Sequence, residues 1–346
     1  MEVFDMSRRR SRVSRTLLGV MVLTLGVGAG IYYARAHRGE KTVAKAAAPV
    51  VMMASNPPAA VVVATTEPAA VVAATQSTTR VATTEPVLAV PSNAAAVIGE
   101  GKEKIDSGDL IGGRKLLNDA LLAGALSSED AQLAKRIMAE ANRVIVFSPR
   151  RFAGDAFQST HTVTPGEKLQ KIAASDALSW EFLGQINNLS DPRRMRAGAT
   201  LKTIQGPFDA VVNKKAFTMD IWLGSPEKAG GMYVTTLPVG LGRDDSTPTG
   251  TWMAGGKLKN PAYFSPRGEG VIAADDPKNP LGEYWISIQG VDGQAVGKMS
   301  YGIHGTIDPD SIGKQSSMGC IRLRDADIAL VYTLLVDGKS LIVVRD

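Results

Sequence analysis

Within the 346 residues of this chain, the residue types that do chemistry concentrate in one stretch, HGTIDPDSIGKQSSMGCIRL, at residues 304–323. It holds the only cysteine, Cys320, and one of the three histidines, His304. A thiol with an ordinary pKa of about 8.5 is only a few per cent thiolate at neutral pH. An imidazole beside it can take the proton and later return it to a leaving amine. Such a Cys/His pair performs acyl transfer. Arg322, just beyond the cysteine, can favour the thiolate or hold a substrate carboxylate. The backbone N–H groups around Gly319 and Cys320 are candidates for an oxyanion hole, because glycine permits an unusual turn. Spacing alone does not bring His304 to Cys320, and a lone cysteine also packs as a small buried hydrophobe. A single cysteine excludes an intrachain disulfide and any zinc site built from two or more cysteines. Three scattered histidines leave little for a classical metal cluster.

Further motifs precede this stretch. Gly240 and Gly242 lead into Thr247-Pro248-Thr249-Gly250, and Asn279-Pro280-Leu281-Gly282 follows. Their glycines and prolines point to fixed turns near an approaching backbone or ligand. Taken in order with His304-Gly305-Thr306, Pro309 to Gly313, and Ser317-Met318-Gly319-Cys320-Ile321-Arg322, residues 216–346 resemble the catalytic domain of the L,D-transpeptidases. The resemblance implies a mainly-β, β-sandwich-like, mostly antiparallel domain with the cysteine in a cleft. It implies that Cys320 attacks the third residue of a peptidoglycan tetrapeptide stem, typically meso-diaminopimelate. D-alanine leaves, protonated by His304, and the acyl group passes to a second stem amine as a 3→3 cross-link. Ser317, Gly319 and Gly305 would shape the site, Arg322 would bind substrate, no metal and no organic cofactor would be needed, and carbapenems would acylate Cys320. In one place the chain departs from the family pattern. Met318 stands where the family has a histidine, and methionine neither donates nor accepts a proton at neutral pH. Water as acceptor (an L,D-carboxypeptidase) and a protein lysine (protein-to-wall attachment) would use the same residues. A non-catalytic membrane-to-wall anchor is the reading from another class.

Several elements must position these residues. Strand-like apolar runs lie at Ala216–Leu223, Met232–Val239 and Tyr284–Ile288. A helix is expected from Asp325 through Ile328, Val331 and Leu335. Upstream, residues 160–205 read as a small βααβ unit: a strand at Thr162–Thr164, a Pro165-Gly166 turn, helices near Leu169–Ala174 and Trp180–Asn187, and a strand at Leu201–Ile204. This order resembles a lysin-motif (LysM) domain, which implies binding to N-acetylglucosamine-containing glycans such as peptidoglycan. His161 reads as structural. The unit is expected to be removable without loss of activity on soluble substrate. Residues 94–147 read as a helical hairpin module. Ser127 to Asp130 supply capping chemistry, and Leu133, Ile137, Ala141 and Val144 form its apolar stripe.

The charge of +5 is N-terminal, since residues 1–45 hold nine basic and three acidic residues. That argues against nucleic-acid binding, which needs a basic patch on a folded domain. Residues 1–15 form a basic, cytoplasmic segment. Residues 16–34 carry no charge and are long enough for a transmembrane anchor, with Tyr32 and Tyr33 at the far end. A signal peptide cleaved at Ala34-Arg35-Ala36 is the alternative. Residues 35–93, rich in Ala, Val, Thr and Pro, read as a disordered linker whose 50 or so most uncharged residues average roughly 40 Å end to end. The expected molecule is multidomain and membrane-anchored: transmembrane helix, linker, helical module, LysM-like unit, and a catalytic domain at 208–346. Its bulk lies on the extracytoplasmic side, with peptidoglycan stem peptides and glycan strands as partners.

Overall fold

The computed structural model describes residues 93–227 and 230–346. The basic N-terminus, the apolar span at 16–34 and the linker up to residue 92 lie outside the described residues. Among the described residues, no helix is long and apolar enough to cross a membrane.

Three helices come first: α1 (Asn93–Asp106), α2 (Leu110–Leu122) and α3 (Ser128–Ile145). Asp109 caps α2 by accepting the Gly112 N–H at 2.9 Å, and Ser127 caps α3 by accepting the Asp130 N–H at 3.1 Å. The hairpin expected from sequence is therefore a three-helix unit. Helix α1, rich in Ala and Gly, has little apolar periodicity to announce it. The stripe expected on α3 is also displaced. Leu133 and Val144 are exposed, and the buried face runs through Ala134, Met138, Ala141, Asn142 and Ile145. The displacement has a polar cause. Asn142 belongs to the buried face because its amide donates to the carbonyls of Tyr233 (2.9 Å) and Val234 (3.0 Å).

The βααβ order holds: β1 (Gln158–Thr162), α4 (Leu169–Ser175), α5 (Trp180–Gln185) and β2 (Thr200–Ile204), with β1 and β2 antiparallel. The first strand lies earlier than the expected Thr162–Thr164: its pairing with β2 begins at Gln158 opposite Ile204, and it ends at Thr162 because Thr164 belongs to the turn. Its N–H (3.0 Å) and hydroxyl (3.1 Å) both donate to Glu167 Oε2, which also contacts His161 Nε2 at 2.8 Å. These bonds, the Thr164 amide first, pull the Glu167 carboxyl down to about 2. His161 thus pins a turn.

The remaining strands are β3 (Phe208–Asn213), β4 (Thr218–Leu223), β5 (Met232–Pro238), β6 (Leu241–Gly242), β7 (Gly250–Lys259), β8 (Tyr263–Phe264), β9 (Val271–Ile272), β10 (Tyr284–Gly293), β11 (Tyr301–His304), β12 (Gln315–Ser317), β13 (Ile321–Arg322) and β14 (Leu341–Arg345), with α6 (Asp325–Leu334) before the last. Eight of them form one mixed sheet in the order β13-β11-β10-β7-β14-β3-β4-β5. The β11/β13 and β14/β3 pairs are parallel and the others antiparallel. In place of a sandwich of two large sheets, helices cover this single sheet. On one face Phe208, Ala210 and Val212 of β3 join Met219, Ile221 and Leu223 of β4 in a core shared with α4, α5 and α6. Phe182 of α5 meets Phe208 edge-on at 4.9 Å between ring centroids. On the other face Val211, Trp222 and Tyr233 pack with Ile98, Leu117, Ala134 and Met138 of the three-helix unit. Burial on both faces explains why β3 alternates so weakly between apolar and polar.

A buried polar network ties these parts together. Arg114 of α2 pairs with Asp155 at 2.8 Å, both side chains being almost wholly buried, and reaches Asn142 at 3.3 Å. Gln158 of β1 donates to Asp155 (2.7 Å) and to the Ile145 carbonyl (2.9 Å). Lys202 of β2 donates to the carbonyls of Ile145 (2.6 Å) and Ser148 (2.8 Å) at the end of α3. The βααβ unit is therefore not a removable bead, because its helices and its lysine complete the core and the helix cap of its neighbours.

Candidate active site

The stretch that holds His304 and Cys320 is built on three adjacent strands. The register sets Trp285 of β10 opposite His304 of β11, and His304 beside Arg322 of β13. Cross-strand partners share a face, so the Trp285 and His304 rings stack, 5.7 Å between centroids and 19° from parallel. Gly302, opposite Ser287, leaves the room: a Cβ there would run into the Trp285 ring. Cys320 immediately precedes β13. His304, Ser317, Met318, Cys320 and Arg322 line a single small pocket of about 50 Å³, closed by Tyr263, Pro280 and Leu281. The structure therefore brings His304, Cys320, Arg322 and Ser317 together.

Each neighbour has a definable task. The Gly305 carbonyl accepts from His304 Nδ1 at 2.6 Å. A carbonyl cannot donate, so the ring proton sits on Nδ1 and Nε2 carries the free lone pair. Ser317 Oγ accepts the Gly319 N–H at 3.1 Å and donates to the Cys320 carbonyl at 2.6 Å. The Gly319 N–H is thus occupied, which leaves the Cys320 N–H of the expected oxyanion pair. Gly319 has φ +124, and a Cβ on it would lie 2.7 Å from the Tyr301 ring and 3.0 Å from the Ser246 carbonyl. Only glycine makes this turn.

The upstream motifs act as supports. Thr247 Oγ1 accepts the Gly242 N–H (2.8 Å) and donates to the Gly319 carbonyl (2.9 Å), holding the turn before Cys320 from behind. Asn279 Nδ2 donates to the Pro261 carbonyl (2.7 Å) and its Oδ1 accepts the Leu281 N–H (3.0 Å), closing the loop that forms the opposite wall. Arg322 is also tied to Gly240 by a reciprocal backbone pair at 2.9 and 2.8 Å. Its guanidinium reaches Ser316 Oγ at 3.3 Å, while its buried Nε has no hydrogen-bond partner among the described residues.

Burial governs the electrostatics. It pushes the Cys320 thiol up to about 11, against the pull of a hydrogen bond to the Gly302 backbone and of Arg322. It pushes His304 down to about 4, opposed by the Gly305 carbonyl and helped by Arg322. Met318 differs from these groups in being 46% exposed at the pocket mouth. Trp285 and Tyr263 were not among the sequence candidates. The glycine at 302, two before the histidine on a short strand, is the one trace of the Trp285 ring that the sequence carries.

A family model for the YkuD L,D-transpeptidase catalytic domain matches residues 207–344. YqjB of Bacillus subtilis, which bears an L,D-transpeptidase designation, is 33% identical over 137 residues, 39% of this chain and 70% of that protein. The chain belongs to the L,D-transpeptidase family. The similarly designated YkuD of Bacillus subtilis is 28% identical over 54% of this chain and 99% of its own length. A solved L,D-transpeptidase from Mycobacterium smegmatis aligns at 20% identity and a TM-score of 0.29, over 43% of this chain and 64% of that one. As an L,D-transpeptidase family member, the chain has its matched region on the eight-stranded sheet and the Cys320 pocket. The three-helix unit and the βααβ unit lie outside the family model.

Proposed function

We propose that this chain is an exported peptidoglycan L,D-transpeptidase working through a Cys320 thioester. The observation that carries the reading is the convergence of Cys320, a His304 ring with its Nε2 free, and Arg322 in one pocket. When the stem peptide enters, Nε2 takes the Sγ proton and the sulfur forms a bond to the carbonyl carbon of the third stem residue. The Cys320 N–H steadies the developing oxyanion. The bond to D-alanine then breaks, and His304 returns the proton to the leaving amine. In the second half the side-chain amine of another stem attacks the thioester, gives its proton to His304, and regenerates the thiol with a 3→3 cross-link. The unpartnered Nε of Arg322 suits a stem carboxylate. The βααβ unit binds the glycan strand and keeps the enzyme on its polymer, and residues 16–34 anchor it to the membrane with the catalytic part outside.

Product analysis tests the reading. Disaccharide-tetrapeptide incubated with the enzyme should yield free D-alanine and a 3→3 cross-linked dimer, and neither should form with His304→Ala. Tripeptide without dimer would mean that water is the acceptor. Turnover unchanged in His304→Ala would remove the histidine from the mechanism.

A further inference from the structure

The outer face of β3, β4 and β5 changes character along its length. One half presents Val211, Trp222 and Tyr233 and lies beneath the three-helix unit. The other half presents Asn213, Thr218 and Asp220, and there the first turns of α3 border an open groove of about 630 Å³. A chain of polar contacts runs along its floor. Tyr233 Oη meets Thr236 Oγ1 at 2.7 Å, Thr236 Oγ1 donates to Asp220 Oδ1 at 2.5 Å, and Lys135 Nζ pairs with Asp220 Oδ2 at 2.5 Å. Asp220 is therefore neutralised by Lys135. Arg136, on the α3 wall, and Arg345, on β14, are exposed and have no ion-pair partner among the described residues. The lining thus carries two uncompensated positive charges on separate walls, above a floor of hydroxyls and amides.

This chemistry selects a ligand. A site of several hundred Å³ holds a molecule larger than a single phosphate or acetate. Two cations on separate walls fit a ligand with more than one carboxylate, since guanidinium pairs best with carboxylate in a two-pronged contact. With Tyr233 as the one aromatic lining residue, already engaged with Thr236 and Lys135, the groove offers no open platform for a sugar ring. We propose that this groove binds an acidic peptidoglycan stem peptide distinct from the one that reacts at Cys320. The proposal rests on the transpeptidase reading for the identity of the peptide. Arg345 on β14 is four strand spacings from β13, roughly 19 Å along the sheet at about 4.8 Å per step, which exceeds the roughly 14 Å that four extended residues span, so one short stem does not serve both. Holding a second stem of the same network raises the local concentration of substrate at the pocket.

The test uses the full chain in detergent with Cys320→Ala, so that no turnover intervenes, and a photoreactive L-Ala-D-Glu-meso-diaminopimelate-D-Ala tetrapeptide. Labelled peptides mapped by mass spectrometry should include residues 128–136 or 213–220. Unlabelled tetrapeptide should compete, and Arg136→Glu/Arg345→Glu should reduce labelling there at least tenfold. Arg136→Lys/Arg345→Lys should retain most of it. Both arginines are exposed, and an unchanged melting curve shows that the variants are folded. Labelling confined to residues around Cys320, or unaffected by charge reversal, overturns the proposal. So does equal competition by polyglutamate or polyphosphate, which would make the groove a general polyanion surface. Failure of the transpeptidase reading is seen separately, as wild-type enzyme that forms no adduct on Cys320.

Discussion

Cys320 and His304 are both withdrawn from water, and the withdrawal acts on their protons in opposite directions. The thiol is raised to about 11 and the imidazole lowered to about 4. At neutral pH the free pocket therefore holds a thiol and a neutral imidazole, and in the proposed mechanism the ion pair forms only as the sulfur attacks. Because kcat/KM reports free-enzyme ionisations, its pH profile should be flat from roughly pH 5 to pH 10. Activity should fail on the acid side as His304 takes up a proton near pH 4. Limbs near the ordinary values for histidine and cysteine would contradict this. Arg322 pulls the thiol down, so Arg322→Gln should slow iodoacetamide alkylation of Cys320 at pH 9, measured by intact mass. The cysteine and the histidine are legible in the sequence because their types are rare and carry chemistry, and the arginine because it lies two residues beyond the cysteine. Their protonation is not, since it follows from burial by residues as distant in sequence as Leu281 and Trp285.

At the scale of elements, the site is a set of turns held by hydrogen bonds to other turns. Gly319→Ala forces a Cβ against the Tyr301 ring in a backbone conformation that alanine rarely adopts. It should lower stability by about 3 kcal/mol and abolish acylation, read by a denaturant melt and by adduct formation. Asn279→Ala removes the tie between the Pro261 and Leu281 backbones and leaves buried groups unpaired, at about 1–3 kcal/mol. Its expected signature is a higher KM with a smaller change in kcat, since the wall loosens while Cys320 and His304 stay in place. The motifs Thr247–Gly250 and Asn279–Gly282 stand out in the sequence by their glycines and prolines. What they hold cannot be read there, because Thr247 reaches Gly319 across 72 positions. The α3 stripe fails for a related reason: Asn142 is buried through bonds to a strand that lies 91 positions away.

At the scale of the molecule, the sequence divides more cleanly than the structure does. Composition marks residues 94–147, 160–205 and 208–346 as separate stretches, yet Phe182 completes the core around Phe208, Asn142 donates to the Tyr233 carbonyl, and Lys202 donates to the Ile145 carbonyl at the end of α3. Long-range burial of this kind has no local signature. Asp155→Asn, which leaves the Arg114 charge buried without its counter-ion, should cost about 3–5 kcal/mol in a melt. It should also lower catalytic activity through loss of folded protein. Excision of 160–205 should give an insoluble or molten product, so glycan binding has to be tested in the intact chain. Sedimentation of Cys320→Ala protein with sacculi should be inhibited by N-acetylglucosamine oligomers, and indifference to them would remove the glycan role from the βααβ unit.

The central claim is a covalent bond between Cys320 and a stem peptide. Intact mass spectrometry of the enzyme mixed with disaccharide-tetrapeptide, beside Cys320→Ala, reads it directly. The account predicts an adduct with the mass of the donor less D-alanine on the wild-type chain and none on the variant. A folded wild-type chain that forms neither adduct nor product, with Met318→His equally silent, would contradict it and leave a protein that holds the wall without remodelling it.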